Sequence, residues 1–151
     1  MRLWHKDLIT LLPRQQLLAQ WRECCCISKN IATSGTPNHI LVNKIMHYPV
    51  NHFVSYAELV LTEMKRRGYK VSVSSLSNFY LNLYSAQHYF PESTDNLGVE
   101  KSNIYYEWHS PRYLRQCYCN LQEKFDCGGV PEDEWLRIVW YVSNNEGVLH
   151  E

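Results

Sequence analysis

The sequence has 151 residues, 45% of them hydrophobic and 13% aromatic, a composition typical of one folded domain rather than a disordered chain. It contains no run of about 18 uncharged apolar residues, so we expect no membrane span, and its charged start is unlike a signal peptide. The formal net charge is zero, which by itself argues against a nucleic-acid partner.

The charges are distributed unevenly along the chain. Residues 1–70 carry ten Lys and Arg against four Asp and Glu, whereas residues 71–151 carry five against eleven. A neutral protein of this kind can present a basic face to a partner. The alternative, that the charges of the two halves mix in space, stays open at this point.

The first predicted element is a long helix that follows Pro13. Apolar side chains recur at helical spacing from Leu17 to Ile31, and we expect the helix to run to about Asn30. Its opposite, polar side is predicted to carry three side chains, namely Gln16, Gln20 and Glu23.

Five further helices are expected. Thr36 and Pro37 resemble a cap followed by a first-turn proline, which predicts a short helix through Ile45. A helix from Pro49 should end where basic residues precede Gly68. The others are placed over 73–86, from Ser110-Pro111 to Gly128-Gly129, and from Pro131 onward, with an irregular segment over 87–109. The prediction is one all-α domain over residues 1–151, with little or no sheet.

Six cysteines raise the question of a disulfide or a metal site. Cys24, Cys25 and Cys26 are consecutive and point in different directions around a helix. Cys117 and Cys119 lack the two-residue gap of a zinc knuckle. We therefore expect buried free thiols and no metal ligands.

No familiar catalytic motif is evident in the chain: the serine elbow, phosphate loop, dinucleotide fingerprint and zinc-hydrolase pattern are all missing. The seven histidines are scattered along the sequence. A single carboxylate on a helix is most often a solvated surface group, so spacing alone gives Glu23 no special role.

Several segments nevertheless resemble the pyrimidine-dimer DNA glycosylases, the family of phage endonuclease V. They are Met1-Arg2-Leu3-Trp4-His5, Leu17-Leu18-Ala19-Gln20-Trp21-Arg22-Glu23, Thr36-Pro37-Asn38-His39, Arg66-Arg67-Gly68-Tyr69 and Asn120-Leu121-Gln122-Glu123-Lys124. The Arg22-Glu23 pair is the diagnostic part. The resemblance covers about residues 1–127 and is closer to a bacterial branch than to the phage archetype. Residues 128–151 remain as an acidic C-terminal helix and tail.

The resemblance implies covalent catalysis by an amine. An α-amino group attacks C1′ of a damaged nucleotide, displaces the base and forms an imine, after which β-elimination breaks the strand. Such amines have a reference pKa of about 7.7–8.0, so a useful fraction is neutral near pH 7. Because a large second residue such as Arg2 normally blocks removal of the initiator, Met1 itself is the expected nucleophile. Glu23 is the expected catalytic carboxylate, with Arg22 holding a phosphate beside it.

The resemblance also implies a DNA-binding face. Its predicted contacts come from Arg2, Gln16, Lys29, His39 and Lys124. The predicted partner is double-stranded DNA with damaged or abasic nucleotides, which glycosylases often reach by moving a nucleotide out of the stack. We expect a cytoplasmic monomer that needs no cofactor.

The match departs from the phage archetype at several DNA contacts. Gln16 stands where the archetype has a histidine, and Cys26 and Asn120 stand where it has arginines. The C-terminal part is acidic, with Glu132, Asp133, Glu134, Glu146 and Glu151. The substrate therefore stays open between a pyrimidine dimer, another lesion, a modified base and a bare abasic site. A non-catalytic DNA-binding module and a protein-interaction domain are the alternatives.

Overall fold

Helices make up the regular structure of the chain. A computed structural model describes residues 1–95 and 97–145, and within these ranges it contains five α-helices, four short 3-10 segments and no strand. The expected all-α fold is confirmed. Glu146 and Glu151 of the predicted acidic tail lie outside the described residues.

The first helix, α1, spans Arg14–Ser34. Gly35 ends it in the left-handed conformation, with φ 74°, and donates its N–H to the carbonyl of Ile31 at 2.8 Å. The predicted end near Asn30 falls one turn short, because this glycine provides the stop.

The predicted polar side of α1 needs one correction. Gln20 is fully buried, although the sequence placed it beside Gln16 and Glu23, which are both partly exposed. Position 20 lies between Leu17 and Cys24 on the apolar stripe of the helix. Its amide therefore enters the core and must find hydrogen-bond partners there.

Helices α2, Val50–Arg66, and α3, Val73–Ala86, pack against α1. Both agree with the predicted helices, and the backbone reverses after α2 at Gly68, which has φ 78°. A 3-10 segment that the sequence did not predict, Lys6–Leu11, lies against α2.

The end of α2 is tied to that segment through charged side chains. Glu63 is buried and accepts hydrogen bonds from Arg66 and Arg67 at 2.6 to 2.8 Å. Arg67 also donates to the carbonyls of Leu12, at 2.8 Å, and Thr10, at 3.1 Å. Burial raises the pKa of Glu63, but the hydrogen bonds from the two arginines outweigh it and hold that pKa below its ordinary value.

Residues 36–42 do not form the helix that was predicted after Thr36-Pro37. Asn38 has a left-handed backbone, with φ 58°, which a helix cannot contain. Helical turns resume only in a 3-10 segment, Asn43–His47. The segment before it is a tight turn.

Helices α4, Pro111–Asp126, and α5, Glu132–Ser143, pack against each other. Ser110 caps α4 by accepting a hydrogen bond from the N–H of Tyr113 at 3.3 Å, as the Ser-Pro signal predicts. Gly128, with φ 79°, follows the end of α4 and separates the two helices.

The segment over 87–109 is irregular, as predicted, with 3-10 turns at Gln87–Tyr89 and Lys101–Asn103. Its last part nevertheless belongs to the core, because four of its side chains are buried: Ile104, Tyr105, Trp108 and His109. This part packs against the start of the chain, and it thereby shapes the surroundings of the amino terminus.

Candidate active site at the amino terminus

The amino-terminal segment runs through the core of the protein rather than over its surface. Leu3, Trp4 and His5 are buried, while Met1 and Arg2 are partly exposed. The backbone N–H of Arg2 donates to Oε2 of Glu23 at 3.1 Å. The carboxylate predicted as catalytic thus lies one residue from the α-amino group.

Gln20 binds the backbone of this segment on both sides of Leu3. Its Nε2 donates to the carbonyl of Arg2 at 3.0 Å, and its Oε1 accepts from the N–H of Trp4 at 2.8 Å. The hydroxyl of Tyr56 donates to the carbonyl of Trp4 at 2.6 Å and lies 3.0 Å from Oε1 of Gln20. Two helices, α1 and α2, therefore fix the course of residues 2–4.

A second set of bonds comes from the other half of the chain. Tyr113 of α4 donates its hydroxyl hydrogen to the carbonyl of Leu3. His109 accepts from the N–H of Lys6 at its Nδ1, at 3.0 Å, and its carbonyl lies 2.8 Å from Nε2 of His5. We refer to Gln20, Tyr56, His109 and Tyr113 as the anchor residues.

The protonation of the anchors suits these bonds. Burial, with the nearby positive charges of His5 and Lys6, lowers the pKa of His109 well below its ordinary value. Its ring is therefore neutral, and Nδ1 can accept the N–H of Lys6. Burial raises the pKa of Tyr113, which keeps its hydroxyl a donor.

The α-amino group lies close to Glu23 without forming an ion pair. Successive backbone nitrogens are roughly 3 to 4 Å apart, so the Arg2 bond holds the amine within about 7 Å of Oε2. Among the described residues, no carboxylate oxygen lies within the 4.0 Å of a salt bridge to the amino group of Met1.

The two predicted arginines occupy different positions. The guanidinium of Arg2 lies 5.6 Å from the centre of the Trp4 ring and close enough to Tyr113 and Cys117 to lower the pKa of both, against the larger effect of burial. Arg22 precedes Glu23 on α1 and is exposed. It lines a cleft of about 370 Å³ between α1 and the start of α3, with Lys70 on the other side.

The remaining predicted DNA contacts are spread over the surface. Lys29 is exposed seven residues after Arg22, a spacing that puts both cations on one face of α1. Gln16 is partly buried, and its Oε1 has no hydrogen-bond partner in the described part of the chain. Lys124 is exposed in the last turn of α4, eleven residues and about 16 Å along the helix from Tyr113. Lys124 is therefore not brought to the amine.

His39 lies in the turn that follows α1. Its Nδ1 accepts from the N–H of Leu41 at 3.2 Å, which leaves the hydrogen on Nε2 as a donor for an external acceptor. The ring is partly exposed.

Sequence reasoning missed all four anchor residues. Gln20 could have been found, because its position falls on the apolar stripe of α1 and an amide there requires partners. Tyr56, His109 and Tyr113 carried no local signal, since each acts on backbone that is 52 to 110 residues away.

Within residues 1–95 and 97–145, the cysteines form no second candidate site. All six thiols are free, but only Cys24 and Cys117 are buried, and Cys26, Cys119 and Cys127 are exposed, so the expectation of buried thiols is partly wrong. The described residues contain no cluster of three His, Cys, Asp or Glu suited to a metal ion. None of the described helices combines the length and apolar character that crossing a membrane requires.

Comparison with known proteins identifies the family to which the chain belongs. Residues 1–76 match the family model described as pyrimidine dimer DNA glycosylase. Neither the curated proteins nor the solved structures give a significant match. The matched residues include Glu23, Gln20 and Tyr56, and they cover half of the chain. The chain therefore belongs to the pyrimidine dimer DNA glycosylase family and is a DNA repair glycosylase.

Proposed function

We propose that this glycosylase uses the α-amino group of Met1 as its nucleophile, with Glu23 as the assisting carboxylate. The supporting observation is the hydrogen bond from the N–H of Arg2 to Oε2 of Glu23, at 3.1 Å. This bond orients the Met1–Arg2 peptide and keeps the α-amino group near the carboxylate. Covalent amine catalysis needs the amine and an assisting carboxylate close to one reacting atom, and this proximity supports the proposal.

The proposed reaction begins with attack of the neutral amine on C1′ of a damaged nucleotide. An N–C1′ bond forms, and the bond from C1′ to the base breaks, with its electron pair and a proton leaving on the base. The nitrogen passes a proton to the ring oxygen O4′ and the C1′–O4′ bond breaks, which gives an iminium and a free 4′ hydroxyl. Loss of a proton from C2′ then expels the 3′ phosphate by β-elimination, and water releases the enzyme. These steps need protein groups, DNA and water.

Glu23 serves this sequence in two ways. Its negative charge stabilises the cationic sugar and iminium states, and its free oxygen can accept a proton from the amine or from C2′. Oε2 is occupied by the N–H of Arg2, with Nε2 of Gln20 at 3.5 Å. The other oxygen, Oε1, is then the one available to the reacting atoms.

We further propose that cations around this site bind the phosphates of double-stranded DNA. Arg22 and Lys29 share one exposed face of α1, where sequence-independent phosphate contacts would place the strand along the helix. Arg2, Gln16, His39 and Lys124 are the other proposed contacts. A pyrimidine dimer, another damaged base and an abasic nucleotide are all candidate substrates, and we propose a monomer that acts on them in the cytoplasm.

The decisive experiment is borohydride trapping on DNA that contains an abasic site. Intact-mass analysis first identifies Met1 as the terminal residue. The free protein should then give a covalent adduct, and acetylation of its α-amine should abolish the adduct. Glu23→Gln should lower the rate of strand cleavage by about 10² or more. Glu58→Gln, which changes an exposed carboxylate of α2, is the matched control.

The outcomes separate the alternatives. An adduct that survives acetylation would place the nucleophile on a lysine and overturn the proposal for Met1. Salt-dependent DNA binding without any adduct on dimer-containing or abasic DNA would indicate a non-catalytic binding module. No affinity for DNA at moderate salt would favour a protein-interaction domain.

A further inference from the structure

An exposed apolar pair stands at the tip of the turn that follows α1. Ile40 is 86% exposed and Leu41 is 45% exposed. Single exposed apolar residues are common on protein surfaces. Two adjacent ones at the tip of a tight turn form a small protrusion, which we call the apolar tip.

The turn beneath the apolar tip is held in one conformation. The carbonyl of His39 accepts from the N–H groups of Val42, at 3.0 Å, and Asn43, at 2.9 Å. The N–H of His39 donates to Oδ1 of Asn43 at 3.0 Å. Pro37 and Val42 are buried on either side of the tip. A protrusion fixed in this way loses little conformational entropy when it enters another molecule.

The turn is attached to the side of α1 that carries the active carboxylate. Nδ2 of Asn30 donates to the carbonyl of Pro37 at 3.2 Å. Asn30 follows Glu23 by seven residues, so the two share a helix face and are about 10.5 Å apart along it. That separation corresponds to roughly three base steps of duplex DNA.

A hydrogen-bond donor precedes the apolar tip, and exposed cations lie before and after it in the sequence. Nε2 of His39 is free to donate, and Lys29 and Lys44 are exposed on either side in the sequence. Apolar side chains set between phosphate-binding groups are the arrangement with which proteins enter a base stack and unstack a step. The same patch offers poor complementarity to an acidic or apolar protein surface of larger area, because only two apolar residues project.

We propose that Ile40 and Leu41 wedge into the base stack of the duplex a few steps from the nucleotide under attack. Opening the stack there would lower the cost of moving the damaged nucleotide toward the amine. The inference rests on the proposed function, because it takes duplex DNA to lie along α1 with its reacting sugar at Met1.

The test compares an Ile40→Ser, Leu41→Ser double variant with Leu136→Ser, which removes a 56% exposed apolar side chain from α5. Two readouts are used. The first is the fluorescence of 2-aminopurine, placed at each of several steps from a non-reactive tetrahydrofuran abasic analogue in a duplex. The second is the rate of borohydride trapping on abasic DNA, measured in duplex and in single strands.

The wild type and Leu136→Ser should increase 2-aminopurine fluorescence at one or two steps on one side of the lesion, whereas the double variant should not. The double variant should trap duplex DNA about tenfold more slowly and single-stranded DNA within twofold of the wild type. Ile40→Met, which keeps an apolar tip, should retain most of the duplex rate.

The wedge proposal would be overturned if all variants trapped duplex DNA at the same rate. It would also be overturned if the double variant trapped duplex and single-stranded DNA more slowly by the same factor. Both results leave the amine chemistry intact, because an adduct still forms. If no variant and no wild-type protein forms an adduct, the proposed function fails, and the fluorescence experiment still tests the wedge on bound duplex.

Discussion

Tyr113→Phe is the sharpest test of the anchored amino terminus. The change removes only the hydroxyl that donates to the carbonyl of Leu3, and the ring keeps its packing against Trp108 and His109. Leu3 is fully buried, so water cannot replace the lost donor. The variant therefore leaves one buried carbonyl without a partner.

The size of the effect follows from that orphaned group. An unsatisfied buried acceptor costs about 1–3 kcal/mol. For a chain of this length, about 2 kcal/mol corresponds to a decrease in Tm of roughly 4–8 °C. The amine should also be less well placed, and because small misplacements are costly in covalent catalysis, we expect imine trapping to slow by about tenfold.

The assay pairs thermal unfolding with borohydride trapping, and Tyr118→Phe is the control. Tyr118 lies on the same helix, and its ring stacks on Trp135 at 5.2 Å, a contact that phenylalanine preserves. The control should stay within about 0.5 kcal/mol of the wild type. Equal Tm values for the two variants would refute the anchoring bond. A lower Tm for Tyr113→Phe with an unchanged trapping rate would refute its link to the amine.

Three further predictions concern charge. Above pH 6.5 the stability that neutral His109 contributes is complete, and it is lost as pH falls toward the lowered pKa of His109. In His109→Gln the free energy of unfolding should therefore fall less steeply between about pH 6.5 and 5, the slope being smaller by the equivalent of up to one bound proton. Urea titration at each pH measures this slope. Glu63 contributes stability above its ordinary pKa of 4.5, and this stability is lost at lower pH. Glu63→Gln should therefore lower the free energy of unfolding by about 1–3 kcal/mol at pH 7 and make it depend less on pH below 4.5. An unchanged Tm at pH 7 would contradict this. Arg22→Ala should reduce the slope of log affinity for DNA against log salt by about one, whereas Arg137→Ala on α5 should leave it unchanged.

The sequence predicts those parts of the fold that depend on local chemistry. The helix over 73–86 has the expected bounds, because the spacing of its apolar residues fits a helix and no other regular structure. The stop at Gly68 and the cap at Ser110 are also found where predicted, because each is set by one residue's backbone preference or hydroxyl.

The failures occur where one local pattern fits two structures. Thr36-Pro37 can begin a helix or a turn. The left-handed backbone of Asn38 is incompatible with a helix, so the segment forms a turn. Gln20 was assigned by residue type to the polar side, but the helical phase places it in the core. Polar character predicts exposure only when no buried partner exists, and for Gln20 the partners are backbone groups of Arg2 and Trp4.

The reactive groups of the candidate site could be predicted from the sequence, but the contacts that position them could not. An α-amine sits at the end of a chain, where no helix or strand orients it, so its position depends on contacts from elsewhere. Two anchors, Gln20 and Tyr56, fall within the family match over residues 1–76, whereas His109 and Tyr113 fall beyond it. The matched half thus contains the carboxylate and two of the anchors. The other half provides the remaining hydrogen bonds to the backbone from Leu3 to Lys6. If the amine of Met1 is the nucleophile, as we propose, its position depends on α4 and on the segment before it, because Tyr113 and His109 hold the backbone from Leu3 to Lys6.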